Sequence, residues 1–209
     1  DHMVLQRDMP VPVWGTAAPG EKIVVRFRGQ QQSATADANG KWLVRLDPLK
    51  AGGPYSLEIA GKNTITLSDV LVGEVWVGSG QSNMAGGVHS YAAADPVLAR
   101  MAARSYPKLR LIRSGGRWQE ATPENIAAFS ALLFSFGLLL AQELDVPVGR
   151  LQGAVGGTPS GNWLSEEAYR SDEACKRVAA EFAKTYSLEV ARQQYQQACA
   201  AWGKAIQQA

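Results

Sequence analysis

Val70-Leu71-Val72-Gly73-Glu74-Val75-Trp76-Val77-Gly78 runs directly into Ser79-Gly80-Gln81-Ser82-Asn83-Met84. The first part is an almost continuous apolar run, the pattern of a strand covered on both faces of a parallel sheet. Gly78 and Gly80 then permit a tight backbone, and the polar Ser-Asn step opens a new element. A strand that ends in a sharp turn exposes its serine at the carboxyl edge of the sheet, where open α/β sheets bind ligands. A serine hydroxyl attacks only when a base takes its proton and donors stabilise the oxyanion. Ser82 stands at the turn; Ser79 lies nearer the strand and suits a backbone-bonding serine. The spacing is not the Gly-x-Ser-x-Gly elbow, because Met84 stands two residues after Ser82. Spacing alone leaves both a plain turn and a nucleophile open.

Strand-like runs continue on the carboxyl side at Leu109–Arg113 and at 146–155, the latter leading into Gly156-Gly157. Helix candidates at 92–104 and 128–144 lie between them. This alternation predicts an α/β region with a parallel sheet and flanking helices. It makes the glycine-rich strand ends at 78–82 and 156–158 natural neighbours. On the amino side the pattern is β throughout. Lys22–Phe27, Ser33–Ala36, Lys41–Leu46, Tyr55–Ile59 and Thr64–Leu67 are punctuated by Asp37-Ala38-Asn39-Gly40, Gly52-Gly53-Pro54 and Gly61-Lys62-Asn63. Short strands so spaced predict a small β-sandwich-like domain, with 33–36 and 41–46 joined as a hairpin at Asn39-Gly40. The chain thus divides into a β domain over 1–69, an α/β region over 70–172 and one long amphipathic helix over 173–209. Phe182, Tyr186, Val190, Tyr195, Cys199, Trp202 and Ile206 form the helix's apolar stripe, which suits packing on its own domain or, less simply, a partner.

Composition narrows the function classes. The chain has 209 residues, 46% hydrophobic and 19% charged, the balance of a protein with a packed core. Its 21 basic and 19 acidic residues are well mixed, which leaves no footprint for nucleic acid. The apolar stretch 126–141 is about 16 residues against the roughly 20 that span a bilayer, so it reads as a core helix and not a membrane anchor. Cys175 and Cys199 would stand roughly 36 Å apart on one helix, so they are expected to be free thiols. With two histidines and no Cys/His cluster, no metal site is expected.

Gly73-Glu74-Val75-Trp76 with Gly80-Gln81-Ser82-Asn83-Met84 resembles the nucleophile block of the sialate O-acetylesterase family, a branch of the SGNH hydrolases. Met3–Arg7 with Pro12-Val13-Trp14-Gly15 resembles the family's amino-terminal β region. Phe129-Ser130-Ala131 through Phe136-Gly137 resembles its central helix. Val146–Gly149 with Gly156-Gly157-Thr158-Pro159 and Trp163 resembles its second glycine block. The motifs stand in the family's order across nearly the whole chain. The resemblance implies an SGNH-type, flavodoxin-like α/β fold and a serine esterase that removes acetyl groups from carbohydrate without a cofactor. Ser82 would be the nucleophile. Its own N–H and that of Gly157, or of Gly156, would form the oxyanion hole. Gln81 and Asn83 would brace the turn, and Thr158 and Trp163 would lie near the substrate pocket. The partner would be O-acetylated sialic acid or an acetylated hemicellulose such as xylan or xyloglucan, met outside the cell or in the periplasm. An SGNH lipase or thioesterase, or a non-catalytic carbohydrate-binding or scaffold protein, is the alternative.

The sequence departs from the family in two places. Ser160-Gly161-Asn162 stands where the family commonly has an aliphatic residue and Glu before the Trp. The family's Gln-Gly-Glu block and its Asp-x-x-His base motif do not occur in these 209 residues. His89 follows Ser82 by two helical turns, roughly 10 Å, too far for a base that must reach about 3 Å. His2 has no supporting context. The resemblance therefore implies an amino-terminal fragment. The catalytic base would come from the remaining carboxyl-terminal part, as a separate chain or otherwise, and residues 1–209 alone are expected to be inactive.

Overall fold

Strand β7, Thr64–Gly78, ties the β half of the molecule to the α/β half. A computed structural model describes residues 1–207, with side chains except at 160, 185 and 201–207. It contains two compact bodies, Asp1–Thr158 and Pro159–Ala209. In the first, β7 runs antiparallel to β6, Gly52–Ala60, with Leu57 opposite Leu67 and Gly52 opposite Val72. Leu71–Gly73 pair in parallel with β1, Val4–Gln6. Glu74–Gly78 pair in parallel with β10, Val148–Gln152. The sequence reading separates 64–67 from 70–77. The structure runs them together through Asp69, which takes a left-handed conformation at φ 54°. The boundary drawn at residue 69 therefore falls inside a strand, and the one drawn at 172 inside the second body.

The β half holds β2, Val11–Thr16; β3, Lys22–Phe27; β4, Gln30–Thr35; and β5, Lys41–Leu46. The expected hairpin of β4 with β5 does not form. β4 pairs with β3 in the large sheet, whereas β5 pairs with β2 as a separate two-stranded sheet. The Asp37–Gly40 turn is present, closed by Gly40 N–H donating to Asp37 O at 2.9 Å, but it carries the chain between sheets. Burial explains the choice. Period-two alternation turns Val11 and Val13 of β2 and Trp42, Val44 and Leu46 of β5 inward, against Val25, Phe27, Leu57, Val70 and Val72.

The α/β half adds α1, Ser82–Ala85; α2, Val88–Tyr91; α3, Pro96–Ala102; β8, Tyr106–Arg113; β9, Gln119–Ala121; α4, Pro123–Ala127; and α5, Ala131–Leu144. The strand order is β7-β10-β8-β9, with the first three parallel. Asp95, Thr122 and Ser130 cap α3, α4 and α5 through their side-chain oxygens. Leu133, Phe134 and Leu138 of α5 pack with Leu109, Leu111 and Val148 of the sheet. Leu132 and Leu139, on the helix's other face, are exposed, so the apolar segment expected as a buried core helix buries one side.

Two arginines are buried in this half, with opposite outcomes. Arg110 of β8 forms a two-pronged hydrogen bond to Asp69, donates Nε–H to the Pro107 carbonyl at 3.0 Å and lies 3.3 Å from Glu120. His2 Nδ1 stands 2.6 Å from Asp69 Oδ2, so His2 joins a polar cluster that its sequence context did not suggest. The Arg110 guanidinium supplies the cation among these groups. Burial by itself pushes the Asp69 carboxyl up, but the hydrogen bonds from Arg110 and His2 outweigh it and hold it below the usual carboxylate range.

Arg150 of β10 has no such partner. It is fully buried against α5, and one guanidinium nitrogen donates to the carbonyls of Leu133 and Phe134 at 3.3 and 3.1 Å. Its Nε and Nη2 meet no acceptor among the described residues. The rings of Phe129 and Phe134 lie 5.7 and 5.8 Å from its carbon centre. Gly137 makes the site possible, since any side chain there would overlap Arg150. Burial pushes the guanidinium down to about 9.

The second body holds a 3-10 turn, Ser160–Trp163, then α6, Glu166–Ser171; α7, Glu173–Thr185; and α8, Leu188–Gln207. The helix expected over 173–209 is therefore two helices. Tyr186 is extended at φ −107° and ψ 127°, and Ser187 accepts from Val190 N–H to start α8. The Phe182 and Tyr186 rings stack at 4.6 Å, and Phe182, Tyr186, Val190 and Tyr195 of the stripe are exposed. The side chains of Trp202 and Ile206, and residues 208–209, lie outside the described residues. Cys175 and Cys199 are free thiols. No helix among the described residues is long and apolar enough to cross a membrane.

These two arginines give two tests by urea denaturation. Arg150→Met keeps volume and removes an uncompensated charge, so it raises stability by about 1–4 kcal/mol at pH 7. That gain narrows above about pH 9, where the folded wild type begins to shed its proton while the unfolded chain retains it. Asp69→Asn leaves Arg110 under-compensated and costs about 3 kcal/mol at pH 7. Because the folded Asp69 pKa is depressed, this difference holds above the ordinary carboxylate pKa and shrinks as pH falls through the folded value.

Candidate active site

The end of β7 decides where Ser82 stands. Gly78 packs under α5 so closely that a side chain there would run into Leu133. Gly80 takes φ 126°, and Ser82 opens α1 one residue after Gln81. Two backbone hydrogen bonds continue the ladder past the strand ends. Gly153 N–H donates to Gly78 O at 2.9 Å and Val155 N–H to Gly80 O at 3.0 Å. They bring the segment after β10 alongside the serine turn. A β-carbon on Gly156 would lie 3.8 Å from Ser82 Cα and 3.9 Å from its Cβ. Gly157 follows in a left-handed conformation at φ 78°, and Thr158 closes the turn by donating its hydroxyl to Val155 O at 2.8 Å. The structure thus brings Ser82, Gly156 and Gly157 into one locality, with Thr158 at its margin.

Ser82 is exposed, and its hydroxyl makes no hydrogen bond among the described residues. The backbone N–H groups of Ser82, Gly156 and Gly157 likewise donate to no protein acceptor among them. Free donors beside an accessible hydroxyl are the elements from which an oxyanion hole is built. Gln81 and Asn83 are exposed and make no side-chain hydrogen bond among the described residues, so neither braces the turn as expected. Asn83 instead borders a groove with Tyr91, Asp95, Leu98, Ala131 and Leu132. Trp163 lies in the second body.

The bracing comes from Gln152, which the sequence reading passed over. It is buried on β10, accepts from Ser130 N–H at 3.0 Å and points its amide at Ala85 O at a long 3.5 Å. It joins the sheet to the end of α1 and to the cap of α5. Backbone bonds from Ala131 N–H to Gly86 O and from Val88 N–H to Phe129 O, each 2.9 Å, fix the far side of the turn. A signal was present: Arg150 and Gln152 alternate at period two within an otherwise apolar strand.

No base reaches Ser82 within the described residues. The chain breaks out of helix at Gly86 and starts again at Val88. His89 donates Nδ1–H to the Ala127 carbonyl at 2.7 Å, which orients its ring toward α4.

No family model matches the chain. Sialate O-acetylesterase of Homo sapiens is 30% identical over 84% of this chain, and that of Mus musculus is 30% identical over 82%. The chain spans 39% and 37% of those proteins. Among solved structures, a carbohydrate acetylesterase of Xanthomonas citri superposes with a TM-score of 0.73 at 36% identity, covering 78% of this chain and 40% of that one. In sequence this chain is similar to the sialate O-acetylesterases, and its α/β sheet is similar to that of a carbohydrate acetylesterase.

Proposed function

We propose that this chain carries the nucleophile and oxyanion hole of a serine esterase that removes O-acetyl groups from carbohydrate. The observation that carries the reading is the approach of Gly156 to Ser82 at the ends of two neighbouring parallel strands. Ser82 Oγ attacks the acetyl carbonyl carbon, and negative charge moves onto the carbonyl oxygen. The free N–H groups of Ser82 and of Gly156 or Gly157 receive it. The bond from the acetyl carbon to the sugar oxygen then breaks, and the proton taken from Ser82 passes to the departing sugar hydroxyl. Water hydrolyses the acetyl-enzyme, releasing acetate and restoring Ser82. The imidazole that moves these protons, and the carboxylate that orients it, come from polypeptide beyond this chain. That assignment rests on the family pattern and on the relatives' greater length. O-acetylated sialic acid and acetylated xylan or xyloglucan are the substrates considered, and the relatives' chemistry favours a secreted or periplasmic setting. No step needs a metal or an organic cofactor.

Acetate release from these three substrates by the complete polypeptide tests the reading. Ser82→Ala lowers kcat by at least about 10³-fold. The 209-residue chain alone releases no acetate, and His89→Ala changes nothing in the complete protein. A strong preference for long acyl chains would reject the acetylesterase assignment in favour of a lipase or thioesterase. Gln152→Leu leaves the Ser130 N–H unpaired, so it costs about 1–3 kcal/mol of stability and lowers kcat with little change in KM. Unchanged stability and kcat would remove Gln152 from the account.

A further inference from the structure

Trp14 is the most exposed tryptophan whose side chain is described, at 69%. Burying a large apolar side chain contributes about 1.5–3 kcal/mol, and a solvent-facing strand position forgoes it. The inward indole of this sheet is Trp42, which packs directly beneath Gly15. A side chain at Gly15 would meet the Trp42 ring. Trp14 lies on the opposite, outer face of the β2–β5 pair, where it stands across from Leu43, and Thr16 stands across from Lys41.

Trp14, Thr16, Asp37, Lys41, Trp42 and Leu43 line an open groove of about 720 Å³. The rim offers unused polar groups. Asp37 uses Oδ1 to hold the turn, accepting from the N–H groups of Asn39 and Lys41 at 2.8 and 2.9 Å. Its Oδ2, the Lys41 ammonium, the Thr16 hydroxyl and the Trp14 N–H make no hydrogen bond among the described residues. The floor is stiff, because the two strands pair over six positions and Trp42 is clamped below.

An apolar ring face beside a hydroxyl, a carboxylate and an ammonium matches a sugar. The C–H face of a pyranose packs on the indole, and its hydroxyls reach donors and acceptors at the edge. One cation and one anion at the rim give the groove no single-sign field. It lacks the basic stripe that nucleic acid requires. We infer that the outer face of β2 and β5, centred on Trp14, is a carbohydrate-binding platform that shares no residue with the Ser82 turn. The choice of glycan rests on the acetylesterase reading, and the platform would hold a polysaccharide independently of deacetylation.

Affinity gel electrophoresis of the complete protein in acetylated glucuronoxylan, xyloglucan or a mucin bearing O-acetyl sialic acid tests this. The protein is retarded by at least one of the three, and Ser82→Ala is retarded equally, so failure of the catalytic reading leaves this result intact. Trp14→Ala raises the dissociation constant at least about 10-fold, whereas Trp14→Phe keeps a stacking ring and retains measurable retardation. No retardation in any of the three, or equal retardation of Trp14→Ala, overturns the proposal. Equal loss in Trp14→Phe and Trp14→Ala would assign the effect to the folding of β2 and overturn it as well.

Discussion

The pairing of β7 with β10 is the constraint on which the rest of the candidate site depends. Parallel strands place their carboxyl ends side by side, and a ligand site forms where the chains leave the sheet. Here the ladder does not stop at the strand ends. The bonds to Gly78 O and Gly80 O carry it two steps further, so the Gly156 turn is delivered to Ser82 by backbone geometry alone. Glycine is needed at both ends for different reasons. Gly80 and Gly157 take conformations that other residues rarely adopt. Gly78 lets α5 close over the strand. Gln152 then secures the same turn from below, at a cost of one buried amide that is largely satisfied.

Two buried arginines show how context sets the energetics of one side chain. Arg110 is surrounded by acceptors, and its charge joins β7, β8 and the amino terminus through Asp69 and His2. Arg150 meets only two helix carbonyls and two aromatic rings. It fills the gap left by Gly137 and links β10 to α5, yet two of its nitrogens go without partners. Breaking a well-paired buried ion pair is costly, while replacing an ill-paired one by an apolar side chain is often favourable. The same residue type therefore holds one part of this body together and strains another.

Much of the architecture was legible because it follows from period and punctuation. The β7 run, the apolar Leu109–Arg113 strand, the α5 segment and the glycine-rich ends all stand where their patterns put them. Asn39-Gly40 turned the chain as expected but misled on pairing. A turn signal reports local geometry, whereas the partner of β5 was chosen by burial against β2 and the large sheet. The segment expected as one helix over 173–209 breaks at Tyr186, where Ser187 caps a new start, and an apolar stripe that continues across the break hides it in the sequence. That the two glycine-rich strand ends are neighbours was legible from the strand-end rule. Gln152 and Arg110 were not, because their partners at Ser130, Ala85, Asp69 and His2 are remote in sequence.

Ser82, and not the neighbouring Ser79, is the proposed nucleophile once the polypeptide that supplies its base is present. Both serines are exposed near the same strand end, but only Ser82 lies against Gly156. The most direct measurement is to treat the complete protein with a fluorophosphonate and locate the adduct by peptide mass spectrometry. A single stoichiometric adduct on Ser82, and none on Ser82→Ala, is expected. An adduct on Ser79 or on any other serine, or no adduct on an active enzyme, would contradict it.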